Sequence, residues 1–274
     1  MDWKRSRRRS RACSKQFVSS LRGVARGARP RERELPAPLP PERRTIGQLV
    51  AESIRLYGAH FVRALPLGLV VAAINQASLG LGREATTMVL LLAGPFFTLS
   101  FAYAAQIALE RVAPVRAWLV ALAVGTLVWI PAALLFPWFA LAAVLWLALV
   151  GLCVPVAVVE GTSFTRSLRR GLELGRVDYI HAAGSLATIV ILFVLTRLGL
   201  ALVLESQAEN TVRTAIFLAD AVLAPLLFLG GALLYVDQDA RLRSRGDRRK
   251  ERHADLPDAD HADREGHLDP ARES

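Results

Sequence analysis

Apolar residues fill the chain from about residue 64 to residue 236 in runs separated by short polar gaps. A helix needs roughly 20 predominantly apolar residues to cross the hydrocarbon core of a bilayer. The runs at 64–81, 87–109, 115–135, 138–159, 180–204 and 213–236 come close to or exceed that length, and no globular core repeats such stretches so densely. The pattern predicts an all-α fold, a polytopic transmembrane helix bundle of about six spans. The first run is diluted by Pro66, Asn75, Gln76 and Ser78. The third and fourth are parted only by Phe136 and Pro137, which with Pro131 predict a hairpin rather than one long helix. Pro95, Pro155 and Pro225 lie inside runs, where neighbouring groups can satisfy the carbonyls they free.

Two further segments have a helical period but are too polar to cross. After Thr45, an N-cap type of residue, come Ile46, Leu49, Val50, Ile54, Tyr57 and Phe61 at helical spacing. Gln48, Glu52, Arg55 and His60 fall largely elsewhere. This predicts an interfacial helix over 45–62, or else a polar extension of the first span. A second such helix is expected over 163–176, capped by Ser163. Phe164, Leu168 and Leu172 share one face of it, with Arg166, Arg169, Arg170, Glu173 and Arg176 off that face. Outside these elements, residues 1–44 are rich in Arg, Pro and Ser and are expected to be disordered. Residues 237–274 are expected to be a disordered, mixed-charge tail.

Charge adds an orientation. The net charge is +10, and of 34 Lys and Arg residues 14 lie in residues 1–44 and 9 in residues 237–274. The short gaps are asymmetric too. One side holds Arg111 and Arg116, then Arg166, Arg169, Arg170 and Arg176; the other holds only Arg83 and Arg213. The positive-inside rule puts both termini in the cytoplasm of a multi-pass cell-membrane protein, which requires an even number of crossings. The basic balance then reads as topology control and attraction to anionic headgroups at the cytoplasmic face, not as nucleic-acid binding. The partners expected are the lipid bilayer and its anionic headgroups, with a membrane-protein partner or a homo-oligomer also open. Trp118 and Trp138 sit near span ends, and Ala104, Ala108, Gly184, Gly230 and Gly231 offer points of close helix approach.

Candidate chemistry is sparse. Cys13 and Cys153 are too unlike in setting to pair, and the N-terminal arginines are not followed by the apolar stretch of a cleavable signal. Arg197 and Asp220 stand inside the fifth and sixth runs, each eight residues from the 205–212 turn. In an antiparallel hairpin they share a depth of about 12 Å from that turn, and pairing relieves much of the cost of burying either charge. Such an intramembrane ion pair can gate an ion or proton path, or simply fasten two helices. Asn75, Gln76, Ser100 and Gln106 read as interhelical hydrogen-bonding groups or as a substrate path. His181 begins the fifth span at the interface. In the C-terminal tail, His253, Asp255, Asp258, Asp260, His261, Asp263 and His267 have no regular ligand spacing, so no metal site or cofactor is expected. Phosphate loops, zinc-type Cys/His pairs and nucleophile elbows are missing from the sequence, and no catalytic residues are assigned.

Three stretches carry a resemblance. Thr45-Ile46-Gly47, leading to Ile54-Arg55-Leu56-Tyr57 and Phe61, is the first. Pro155 to Glu160-Gly161, then Arg166-Ser167 and Leu172, is the second. Leu234-Tyr235-Val236-Asp237 with Arg241 is the third, with Gln238 and Asp239 standing where the resembled ending has Leu and Arg. Over about residues 43–245 the chain resembles a group of bacterial six-span membrane proteins described as glycerophosphoryl diester phosphodiesterase membrane domain-like. The chemistry of phosphodiesterases belongs to a separate soluble domain, and none is expected from the segments outside the spans. The resemblance implies a membrane bundle whose cytoplasmic face gathers Glu160, Arg166, Arg170, Asp237 and Arg241, to fix helix ends or bind a lipid headgroup. With Arg169 and Arg176 these form the candidate headgroup cluster. The expected function is that of a non-enzymatic membrane component organising lipid or a partner protein. A small transporter using the polar positions of the first, second, fifth and sixth spans is the alternative, and a membrane-embedded lipid enzyme comes third.

Overall fold

The computed structural model describes residues 40–254, with side chains as far as residue 249. Most of the two expected tails therefore lies outside the described residues. Each apolar run forms a helix or a joined pair of helices, giving six units long and apolar enough to cross a membrane. The protein is an all-α, multi-pass membrane bundle.

A single 3-10 turn, Pro41–Arg43, leads into α1, Ile46–Ala59. Thr45 caps α1 reciprocally: its hydroxyl accepts from Gln48 N at 3.4 Å, and Gln48 Oε1 accepts from Thr45 N at 3.0 Å. Then come α2 (Phe61–Ser78), α3 (Arg83–Leu109) and α4 (Val115–Leu135). The fourth crossing is split into α5 (Ala140–Val150) and α6 (Cys153–Glu160). Next follow α7 (Phe164–Val177) and α8 (Tyr179–Val203), and the last crossing is split into α9 (Glu209–Leu223) and α10 (Pro225–Ala254). The connections α3–α4 and α6–α7 mark the arginine-rich end of the bundle; the α2–α3, α4–α5 and α8–α9 turns mark the opposite end.

Both splits are proline effects. Pro155 has no N–H for the Gly151 carbonyl, which accepts from Val154 N at 3.2 Å instead and tightens the turn. Pro225 likewise leaves the Ala221 carbonyl without its helical donor. That carbonyl lodges against α2 at Gly68, where a Cβ would stand 1.8 Å from the oxygen. By contrast Pro66, Pro95 and Pro131 sit within continuous helices.

One expectation is corrected. The last helix does not stop at 236 but runs to Ala254, so the near part of the expected tail is helical. The physical reason is that Asp237, Gln238 and Asp239 are all buried against other elements, which extends the packing past the apolar run. In α1 the buried stripe is Leu49, Ser53 and Tyr57, while Ile54 is 51% exposed. Ser53 can be buried because its hydroxyl donates to the Leu49 carbonyl at 2.7 Å, and because Gly230 on α10 leaves it room.

In α7 too, small residues set the packed face. Its buried stripe is Ser167, Gly171, Leu174 and Gly175, and Phe164 is 39% exposed. The small residues admit the backbone of the fourth crossing. A Cβ at Gly171 would meet Cys153 Sγ at 2.3 Å, and one at Gly175 would meet the Leu149 carbonyl at 2.0 Å. Four residues further on, the Tyr179 hydroxyl donates to the Leu145 carbonyl at 3.2 Å. Each four-residue step forward from Gly171 thus matches four residues back along the crossing, the signature of an antiparallel pair. Against α10 the geometry differs. Glu160 before α7 meets Tyr235, Arg170 meets Asp239, and Asp178 after α7 meets Gln238 and Arg241. Over the roughly 20 Å of α7, these contacts fall within two turns of α10, Tyr235 to Arg241.

Candidate functional site

Charged and polar side chains gather in two constellations, one toward each end of the bundle. The first joins α8, α9 and α2. Arg197 Nε lies 3.1 Å from Asp220 Oδ1, and Asn75 Nδ2 donates to Asp220 Oδ2 at 2.9 Å. Asp220 is 1% exposed and Arg197 28%. The Arg197 contact is close but lacks hydrogen-bond alignment, so its character is electrostatic. The guanidinium carbon also stands 5.8 Å from the Phe193 ring centre. Next along α2, Gln76 Nε2 donates to the Arg213 carbonyl at 2.8 Å, tying α2 to the start of α9. Asn75 and Gln76 thus serve as interhelical bonds between the first and last crossings.

The second constellation lies where α10 leaves the apolar region, and Asp178 is its hub. Asp178 caps α8 by accepting from His181 N at 3.2 Å on Oδ1, and on Oδ2 it accepts from Arg241 Nη1. Its carbonyl accepts from Gln238 Nε2 at 3.1 Å. Arg241 Nη2 also donates to the Arg44 carbonyl at 2.8 Å, and Arg44 Nη1 pairs with the fully buried Asp237 at 2.8 Å. The segment before α1 is thereby strapped to α10. A second branch runs through Arg170, whose Nη2 is 2.8 Å from Asp239 and whose Nε is 3.5 Å from Glu160. Tyr235 donates its hydroxyl to Glu160 at 3.2 Å, and Arg243 pairs with Asp239 at 2.6 Å.

Of the residues singled out from sequence, Glu160, Arg170, Asp237 and Arg241 enter this cage. Arg166, Arg169 and Arg176 do not: all three are exposed on α7. Arg169 pairs with the exposed Glu173 at 3.3 Å. Arg166 and Arg176 have no ion-pair partner among the described residues. Glu160, Ser163, Thr165, Arg166, Arg169 and Arg170 line one broad open groove at this end. Arg44, Asp178, Gln238 and Asp239 are cage members that sequence reasoning does not single out for that role. The run Asp237-Gln238-Asp239 just past an apolar stretch is the signal that carries them, since acids so placed need cations.

At the opposite end the Arg83 guanidinium lies 5.0 Å from the ring centre of Trp138, an exposed belt position. Trp118 sits at the arginine-rich end. Its indole N–H reaches Gln106 at 3.1 Å in the amide orientation that also satisfies Ala113 N. Among the tail residues weighed as metal ligands, His253 falls in the last turn of α10, and those from Asp255 onward lie outside the described residues. Among the described residues no group of three His, Cys, Asp or Glu side chains is placed to hold a metal ion. Comparison with protein-family models, with curated proteins and with solved structures gives no match to this chain.

Proposed function

We propose that the protein is a non-enzymatic component of the cell membrane that organises anionic lipid at its arginine-rich end, with both termini in the cytoplasm. The observation carrying this reading is the division among the arginines. Arg44, Arg170 and Arg241 are engaged by carboxylates within the fold. Arg166 and Arg176 instead stand exposed on α7 with no ion-pair partner among the described residues, and Arg169 is exposed there with only the exposed Glu173 beside it. A guanidinium is suited to bidentate contact with phosphate, and each basic residue near an anionic surface contributes about 1 kcal/mol of attraction. The positive-inside rule supports the same orientation, because Arg111 of the α3–α4 connection, Arg116 at the start of α4 and the four arginines of α7 are on that side. The resemblance to the phosphodiesterase membrane domain-like group fits this reading and is part of the proposal. A transport role for Asp220 is less well supported, since that carboxylate is closely packed and the interior cavity does not reach it.

The test uses protein reconstituted in mixed phosphatidylglycerol and phosphatidylcholine bilayers, then extracted for native mass spectrometry. The wild type is expected to retain phosphatidylglycerol preferentially. The combined variant Arg166→Gln, Arg169→Gln, Arg176→Gln is expected to lower that enrichment about tenfold at moderate salt, with an unchanged melting temperature. Equal enrichment in the two proteins overturns the proposal.

A further inference from the structure

We propose that a cavity inside the bundle is a binding slot for the acyl chain of a membrane lipid. The cavity, about 190 Å³ in volume, forms where α3, α4, α5, α6, α8 and α10 meet, with Val71 of α2 also in its lining. Phe97, Phe101, Trp129, Leu147, Val190 and Phe228 are among its walls. Gly125, Gly151 and Gly231 are also in its lining, each at a close contact where a Cβ would collide with a neighbouring residue.

Water has little to bind there. Thr98 is the polar aliphatic side chain of the lining, and its hydroxyl already donates to the Gly94 carbonyl at 2.9 Å. The Trp129 indole N–H donates to the Leu90 carbonyl at 2.8 Å. A buried water needs two to four polar partners, whereas an apolar cavity of roughly 150 Å³ stays dry and accepts benzene. This one is larger and equally apolar. It is also partly open, and Leu186 and Val190 on its α8 side belong to the least buried of the six crossings. At that depth the surroundings are hydrocarbon, so the most concentrated apolar species able to enter is a lipid tail. The end of a chain inserted beside α8 would restore the dispersion contacts that the lining lacks.

Trp129 supplies the readout. The full-length chain is reconstituted in nanodiscs of phosphatidylcholine brominated at mid-chain, and the emission of Trp129→Phe is subtracted from that of the wild type. Bromine against the indole is expected to quench the Trp129 component by more than half. Val190→Phe combined with Leu147→Phe fills the slot and is expected to reduce that quenching at least twofold. Leu186→Phe is a second, milder filling variant, read in the same way should the double variant not fold. An unquenched Trp129 overturns the proposal, as does equal quenching in a folded filled variant, which would place the bromine outside the bundle. Phosphatidylcholine is zwitterionic, so failure here leaves the headgroup reading intact, and loss of phosphatidylglycerol selectivity leaves this one intact.

Discussion

Asp220 is 1% exposed while Arg197 is 28% exposed, and this difference decides what each substitution costs. Arg197→Gln leaves a buried carboxylate with Asn75 as its remaining partner, and removing one member of a buried ion pair costs about 3–5 kcal/mol. Asp220→Asn leaves a cation on a long, partly exposed stem that can swing toward the nearby interface, and is expected to cost about 1 kcal/mol. In thermal unfolding, Arg197→Gln should therefore be much the more destabilising. Adding Asp220→Asn to Arg197→Gln should recover most of the loss. Equal losses in the two single variants would show that the pair shares its penalty evenly. The depth match of these residues across a hairpin was legible from spacing alone. Asn75 as the third partner was not, because nothing in a linear pattern shows which distant polar residue faces the same point.

At the level of elements, the close contacts between helices fall on particular glycines. Gly175 admits the Leu149 carbonyl, and a Cβ there would stand 2.0 Å from that oxygen. Gly175→Ala is expected to destabilise the protein by about 1–3 kcal/mol through forced displacement of α7. Gly47 in α1 has nothing within 4 Å of an added Cβ, so Gly47→Ala should stabilise by up to about 1 kcal/mol through helix propensity. Opposite shifts in melting temperature check the pair. The six crossings are legible because 20-residue apolar runs have few alternative uses. The orientation of α7 was less so. Phe164, Leu168 and Leu172 suggest a face resting on lipid, yet the small residues Ser167, Gly171 and Gly175 decide the packing, since a neighbouring backbone fits only where side chains are short. Of the prolines inside crossings, only Pro155 and Pro225 mark helix breaks, and sequence does not distinguish them from Pro95.

For the whole molecule, the arginine asymmetry makes a topological prediction. In a background carrying Cys13→Ser, with the buried Cys153 retained, Ser206→Cys in the α8–α9 turn should react with an impermeant maleimide on intact cells. Thr165→Cys in α7 should react only after permeabilisation. The reverse result would invert the orientation and with it the lipid proposal.

The last crossing gives the bundle an order of assembly. Four arginine–carboxylate pairs join distant parts of the described chain: Arg44–Asp237, Arg170–Asp239, Asp178–Arg241 and Arg197–Asp220. In every one, the later residue lies in α9 or α10. During synthesis the first five crossings thus emerge with Arg197 uncompensated at membrane depth and with Arg44 and Asp178 unmatched. Arrival of the final 40 or so helical residues then neutralises all four pairs. A nascent chain halted before Asp220 should be recognised as incomplete and cleared quickly in a pulse–chase experiment, whereas one ending after Arg249 should persist. The charged residues of the last helix pair, three carboxylates and Arg241, are in this sense a completion signal, read by the membrane itself.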